Sequence, residues 1–135
     1  MNQVGTSMIV VGVGGVAGTW LRWWLGMRLN SIFPTLPFGT LAANLIGGYV
    51  IGLAVGAINL DLGLSAQARL FLMTGFCGGL TTFSTFSAET FTLMSRGQIA
   101  WGFGEIAIHV TGSLLATTLG VITIGLARLI PGVST

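Results

Sequence analysis

Four apolar stretches divide the chain, at about residues 8–29, 38–58, 67–94 and 99–130, with short polar connections between them. Each reaches the ~20 residues that a helix needs to cross the hydrocarbon layer. All four are expected to be transmembrane helices, leaving only short ends and loops. The third stretch departs from a uniformly apolar run. Cys77-Gly78-Gly79-Leu80-Thr81-Thr82-Phe83-Ser84-Thr85-Phe86-Ser87 brings glycines, hydroxyls and two phenylalanines into its middle. Unwound backbone in hydrocarbon is tolerated only where protein buries it or water reaches it. Broken helices of this sort build ion sites, because carbonyl ends attract cations and amide ends attract anions. A third helix broken near its middle is therefore expected, in a protein that handles ions.

The other stretches carry patterns of their own. In the first, Gly14, Gly15 and Gly18 offer a close-packing face and lead to Trp20, Trp23 and Trp24, residues that favour the membrane interface. Arg22 among them is either a side chain snorkelling to water or a fixed positive charge near an anion's entrance. Pro34 and Pro37 punctuate the first loop, and Asp61 sits in the second. In the second stretch Gly48, Gly52 and Gly56 recur every four residues, a spacing that lets helices approach closely. Thr40 and Asn44 precede them on the same stripe. A buried amide needs partners, so Asn44 either bonds a neighbouring helix or donates an N–H to a passing anion. Glu89, near the far end of the third stretch, is expected to play a structural role, with proton or ion ligation as the alternative. In the fourth stretch Glu105, His109, Ser113 and Thr117 follow at steps of four and share one helix face. Such a stripe must face protein or a water-filled path. It is either hydrogen-bond glue or part of a conduction route.

Composition closes off most other classes. Of 135 residues 53% are hydrophobic and 6% charged, against about a quarter charged in soluble domains, and the mean hydropathy is +0.92. One integral membrane domain over 1–135 is expected. The first seven residues contain no Lys or Arg, so a cleavable signal peptide is not expected. Cys77 is the only cysteine, which excludes an internal disulfide and a cysteine metal cluster. The net charge of +2 rests on scattered arginines and makes no patch for nucleic acid. With four spans, Arg28 and Arg96 fall on one side of the membrane and Arg69 and Arg128 on the other. The positive-inside bias is then nearly absent, and the chain is expected to insert both ways and pair as an antiparallel dimer, unless another signal orients it.

No nucleophile elbow, phosphate loop, metal-spaced histidine pair or catalytic carboxylate pair occurs, so an enzyme is not expected. The remaining side chains suit a small anion. Hydroxyls and an amide can hydrogen-bond it, and the positive ring edges of Phe83 and Phe86 can meet it. Glycine-rich packing leaves room only for a narrow path. Two copies about a two-fold axis would bring both breaks together, where carbonyls could hold a structural cation.

Three segments carry a family resemblance. Gly15-Val16-Ala17-Gly18-Thr19-Trp20-Leu21-Arg22-Trp23, Gly39-Thr40-Leu41-Ala42-Ala43-Asn44-Leu45-Ile46-Gly47-Gly48, and Gly75 through Ser87 resemble the Fluc fluoride channels. That resemblance implies an antiparallel dual-topology homodimer in the plasma (inner) membrane, exporting fluoride passively through two pores around a central structural sodium ion. It implies that the carbonyls of Gly78 and Thr81 hold the sodium. Phe83 and Phe86 would be the ring-edge fluoride contacts, with Asn44 supporting them. Ser113 and Thr117 would belong to a polar track, and Arg22 would match the arginine of the first motif. Glu105 and His109 extend that track with ionisable groups to which the resemblance gives no role. The competing reading is a small multidrug exporter, which needs a membrane-embedded acid in its first helix. This chain has no acid before Asp61. A non-transporting assembly subunit would leave the break and both polar stripes unused.

Overall fold

The structure, a computed structural model, describes residues 2–129. Helices α1 (Gln3–Leu29), α2 (Phe38–Asn59) and α6 (Ile99–Ala127) are the three among the described residues that are long and apolar enough to cross a membrane. Between α2 and α6 the chain is subdivided. It runs through α3 (Ala66–Arg69), a π-helical stretch (Leu70–Cys77), α4 (Gly78–Leu80) and α5 (Phe83–Ser95). No strand occurs among the described residues.

Local chemistry places the ends of these elements. The Asn2 side chain accepts from Gly5 N–H at 2.8 Å, and Ser65 Oγ accepts from Ala68 N–H at 3.1 Å, each satisfying an amide that a helix start leaves free. Pro37 precedes α2 and has no side chain to cap it, so Asn30 reaches across the loop and accepts from Gly39 N–H at 2.8 Å. Helix α5 stops at Gly97, whose φ of +78° suits glycine. There Gly97 N–H returns to Met94 O and Gln98 N–H to Leu93 O, the paired bonds of a glycine-terminated helix.

Two glycine contacts set how the helices pack. Helix α1 lies along the π-helical stretch and α4, and α2 lies along α6. A Cβ on Gly14 would come within 2.6 Å of Phe71 O, and one on Gly52 would overlap the carbonyl of Thr117. Backbones this close gain dispersion contacts that no larger side chain permits, the source of helix association where lipid is as apolar as leucine. Outward positions such as Met8, Val13, Leu114 and Leu115 are exposed and apolar, as a lipid-facing surface requires. Trp20, Trp23 and Trp24 are exposed too, and the Arg28 guanidinium lies 5.7 Å over the Trp24 ring.

The helix does not stop at the glycine pair. Gly78 and Gly79 are wound into α4, and the extended residues are Thr81 (φ −77°, ψ 153°) and Thr82 (φ −149°, ψ 115°). Gly79 is needed inside the helix, because a Cβ there would overlap the Gly15 carbonyl on α1. Thr82 can leave it because its own Oγ1 then caps α5, accepting from Thr85 N–H at 3.1 Å. Thr82→Ala is expected to destabilise the protein by about 1 kcal/mol, the usual worth of such a cap, read as a lower midpoint of thermal unfolding in detergent. An unchanged midpoint would contradict the capping role.

Candidate functional site

Asn44, on α2, ties the non-helical residues to the opposite wall. Its Oδ1 accepts from Thr82 N–H at 2.8 Å, which fixes the orientation of the amide. Its Nδ2 then donates to Thr82 O at 3.3 Å and lies 3.1 Å from His109 Nδ1. An amide nitrogen only donates, so His109 Nδ1 must accept, and the neutral imidazole carries its proton on Nε2. Both Nδ2 hydrogens of Asn44 are thus engaged by protein. Of the two roles open to this amide, the interhelical bond is the one observed.

His109 in turn stacks on Phe86, with centroids 4.7 Å apart and planes at 29°. Phe86 is buried, whereas Phe83 is 80% exposed, and their rings meet tilted at 5.6 Å. Asn44, Thr81, Phe83, Phe86, Ser113 and Thr117 all line one open groove of about 470 Å³. Six of the eight residues singled out from sequence therefore share a surface. Thr117 Oγ1 donates to Ser113 O at 2.9 Å and to Gly48 O at 3.1 Å, so its proton serves helix packing. Arg22 lies elsewhere. Its Nε donates to Gly79 O at 3.1 Å, and it lines a separate cleft of about 210 Å³ with Thr40, Thr82 and Thr85. Gly78 is exposed and outside the groove.

The break also redirects backbone donors. In an unbroken helix the Thr82 amide would meet the Gly78 carbonyl, and the Thr85 amide that of Thr81. Here Thr82 N–H goes to Asn44 Oδ1 and Thr85 N–H to Thr82 Oγ1. The two carbonyls freed in this way are the pair expected to face a cation. Oxygen donors of that kind suit a hard ion, so the residues present fit the group. No cluster of three or more His, Cys, Asp or Glu that could hold a metal occurs among the described residues.

Sequence reasoning named two further members of the site without assigning either a role. Thr82 and His109 both line the groove. The spacing of four residues that links His109 to Ser113 and Thr117 was the available signal. Thr40 Oγ1 donates to Glu89 Oε1 at 2.7 Å, and Thr90 Oγ1 donates to Glu105 Oε2 at 2.8 Å. The partner found for Glu89 is thus a threonine hydroxyl.

Residues 9–121 match the family model described as CrcB-like protein, Camphor Resistance (CrcB). The chain is 57% identical over 117 residues to the fluoride-specific ion channel FluC of Pseudomonas putida (strain W619), covering 87% of this chain and 92% of the relative. It is 58% identical over 118 residues to the same-named channel of Nitrosospira multiformis, again covering 87% and 92%. A third same-named relative, from Chromobacterium violaceum, is 58% identical over 116 residues, covering 85% and 91%.

Proposed function

The chain belongs to the CrcB-like protein family, and on that premise we propose that it conducts fluoride across the membrane as a passive, electrogenic channel relieving fluoride toxicity. The observation that carries this reading is the identity of 57% to a relative named as a fluoride-specific ion channel, over 87% of the chain. It is a multi-pass protein of the plasma membrane and a channel, not an enzyme. The exporter alternative lapses with the family.

Its finer features are part of the same proposal. Residues 1–135 form one channel domain, in which the segments between Ala66 and Ser95 make a single span interrupted at Thr81 and Thr82. The chain inserts in both orientations and assembles as an antiparallel homodimer. Support comes from what one chain leaves open: Phe83 and Gly78 are exposed beside a break whose freed carbonyls cannot face lipid. A second copy would cover them. The Gly78 and Thr81 carbonyls of both copies would hold a sodium ion, which supplies fixed positive charge at the centre of the assembly.

Fluoride then moves along the groove. Phe83 and Phe86 meet it with their ring edges. Asn44 acts through others, holding Thr82 in place and fixing the tautomer of His109. Ser113 and Thr117 continue the polar wall, and Arg22 supplies a positive charge in the cleft on the other side of the break. A membrane potential negative inside drives the anion out with about 2.3 kcal/mol per 100 mV. Narrowness, with donors that replace the hydration shell, would favour fluoride over chloride.

The test is anion efflux from liposomes loaded with potassium fluoride or potassium chloride. The expected result is rapid fluoride release that begins only when valinomycin dissipates the potassium potential, with chloride retained. Folded, incorporated protein that holds fluoride back would sink the proposal.

A further inference from the structure

One polar layer lies beyond the groove's assigned residues. Helices α2 and α6 run side by side in parallel register: Thr117 bonds Gly48, and His109 meets Asn44. One turn earlier on each helix, Thr40 is therefore level with Glu105. Glu89 and Thr90 of α5 join them, each acid receiving a threonine hydroxyl. The layer so formed holds three buried polar atoms without a partner, namely Glu89 Oε2, Glu105 Oε1 and His109 Nε2. Glu105 is 0% exposed and His109 4%. Buried polar groups in native folds are almost always hydrogen-bonded, so three orphaned atoms in adjoining turns point to something that sits among them.

The identity of that occupant follows from the chemistry of the orphans. His109 presents a donor, because its Nδ1 is taken by Asn44. Around Glu105, α2 contributes Thr40 and Asn44, α5 contributes Glu89 and Thr90, and α6 contributes His109. None is a lysine or arginine, and the one other charge-bearing group is a second acid. His109 accepts at Nδ1 and so is neutral; two carboxylates with no cation beside them, buried between membrane helices, are prohibitively costly as a pair of anions. A neutral Glu105 accepts from Thr90 at Oε2 and presents O–H at Oε1. Glu105 O–H and His109 Nε2–H are then two donors one turn apart on one helix face, each without a partner in the chain, and an acceptor is what such a pair calls for.

We propose that Glu105, as the carboxylic acid, and His109, through Nε2–H, form a two-donor station for a small anion between the groove and the cleft beyond it. The proposal rests on the channel reading and names a further binding residue for it. His109 lines the groove, while Glu89 lines a second cleft of about 260 Å³ that also holds Pro34, Thr85 and Arg96. Glu105 is fully buried and lines neither opening, and it stands one helix turn from His109, so an anion held at His109 would next meet its carboxylic acid. Arg96 is the positive charge at the far mouth.

The experiment compares fluoride efflux from liposomes for the wild type, Glu105→Leu, Glu105→Gln and Thr90→Val, each shown to be monodisperse in detergent. Leucine removes the donor, and efflux is expected to fall at least about tenfold, with the fluoride concentration for half-maximal rate raised. Glutamine keeps shape, neutrality and N–H donors, and its efflux is expected within about threefold of wild type. Thr90→Val removes the internal bond to Glu105 but leaves the carboxylic acid, and is expected to conduct like wild type. Efflux from Glu105→Leu at the wild-type rate would overturn the station. So would a tenfold rise in Glu105→Gln, which would mark a charged carboxylate repelling the anion, or a loss in Thr90→Val equal to that in Glu105→Leu, which would mark a structural bond. If Glu105→Leu does not fold, Glu105→Met, which likewise lacks a donor, takes its place under the same criteria. A wild type that retains fluoride would instead overturn the channel reading, and the station with it.

Discussion

Replacing Asn44 with alanine is expected to lower fluoride efflux at least about tenfold, a change of roughly 1.4 kcal/mol in the barrier. The residue makes three contacts that nothing nearby can replace: with Thr82 N–H, with Thr82 O and with His109 Nδ1. Alanine leaves the buried Thr82 amide unpartnered, at about 1–3 kcal/mol. The chain escapes that penalty by winding Thr82 back into the helix toward Gly78 O, which removes the break and moves Phe83 and Phe86 with it. Aspartate separates the two duties of the amide. It still accepts from Thr82 N–H, so the break should persist and the thermal midpoint should change little. It offers no N–H to His109, however, and the imidazole must then present a proton at Nδ1 instead of Nε2. Efflux is expected to fall for Asn44→Asp as well. Wild-type efflux in both variants would show that Asn44 serves packing alone.

The largest loss of stability is expected at the α2–α6 contact. A Cβ on Gly52 would overlap the Thr117 carbonyl and sit 3.0 Å from Gly120 Cα, so neither neighbour is a side chain that can rotate away. Gly52→Ala must push two backbones apart and is expected to destabilise the protein by about 1–3 kcal/mol. Gly52→Leu is expected to yield no monodisperse protein. The control is Gly12, where a Cβ would meet nothing within 4 Å. Gly12→Ala should leave the thermal midpoint in detergent unchanged or slightly higher, since alanine favours helix by about 1 kcal/mol. Equal midpoints for Gly52→Ala and Gly12→Ala would refute the close-contact account.

Much of the site was readable from spacing. Gly48, Gly52 and Gly56 announced a close helix contact, and each now abuts α6. Ser113 and Thr117 were read as one face with His109, and all three line the groove. Other features left no trace in spacing. The π-helical stretch from Leu70 to Cys77 has no residue pattern to announce it. Within the segment from Cys77 to Ser87, spacing did not say which residues leave the helix: Gly79 serves close approach to α1, and the non-helical backbone is at Thr81 and Thr82. Arg22 was open to two readings, a snorkelling side chain or a positive charge near an anion's entrance, and spacing did not show that it bonds Gly79 O and lines a cleft separate from the groove.

The sequence by itself determined that this is a membrane protein of long apolar helices, and its motifs identified the family. Burial in hydrocarbon is close to a sum over residues, so any run of sufficient length and apolarity declares itself without reference to the rest of the chain. Only the tertiary structure decided which polar atoms meet. Asn44 reaches Thr82 across 38 residues of chain and His109 across 65. Thr90 reaches Glu105 across a turn between helices. Such pairings depend on the register and rotation at which helices pack. Those are set by where glycine lets backbones touch, a property of two surfaces together and not of either sequence segment alone.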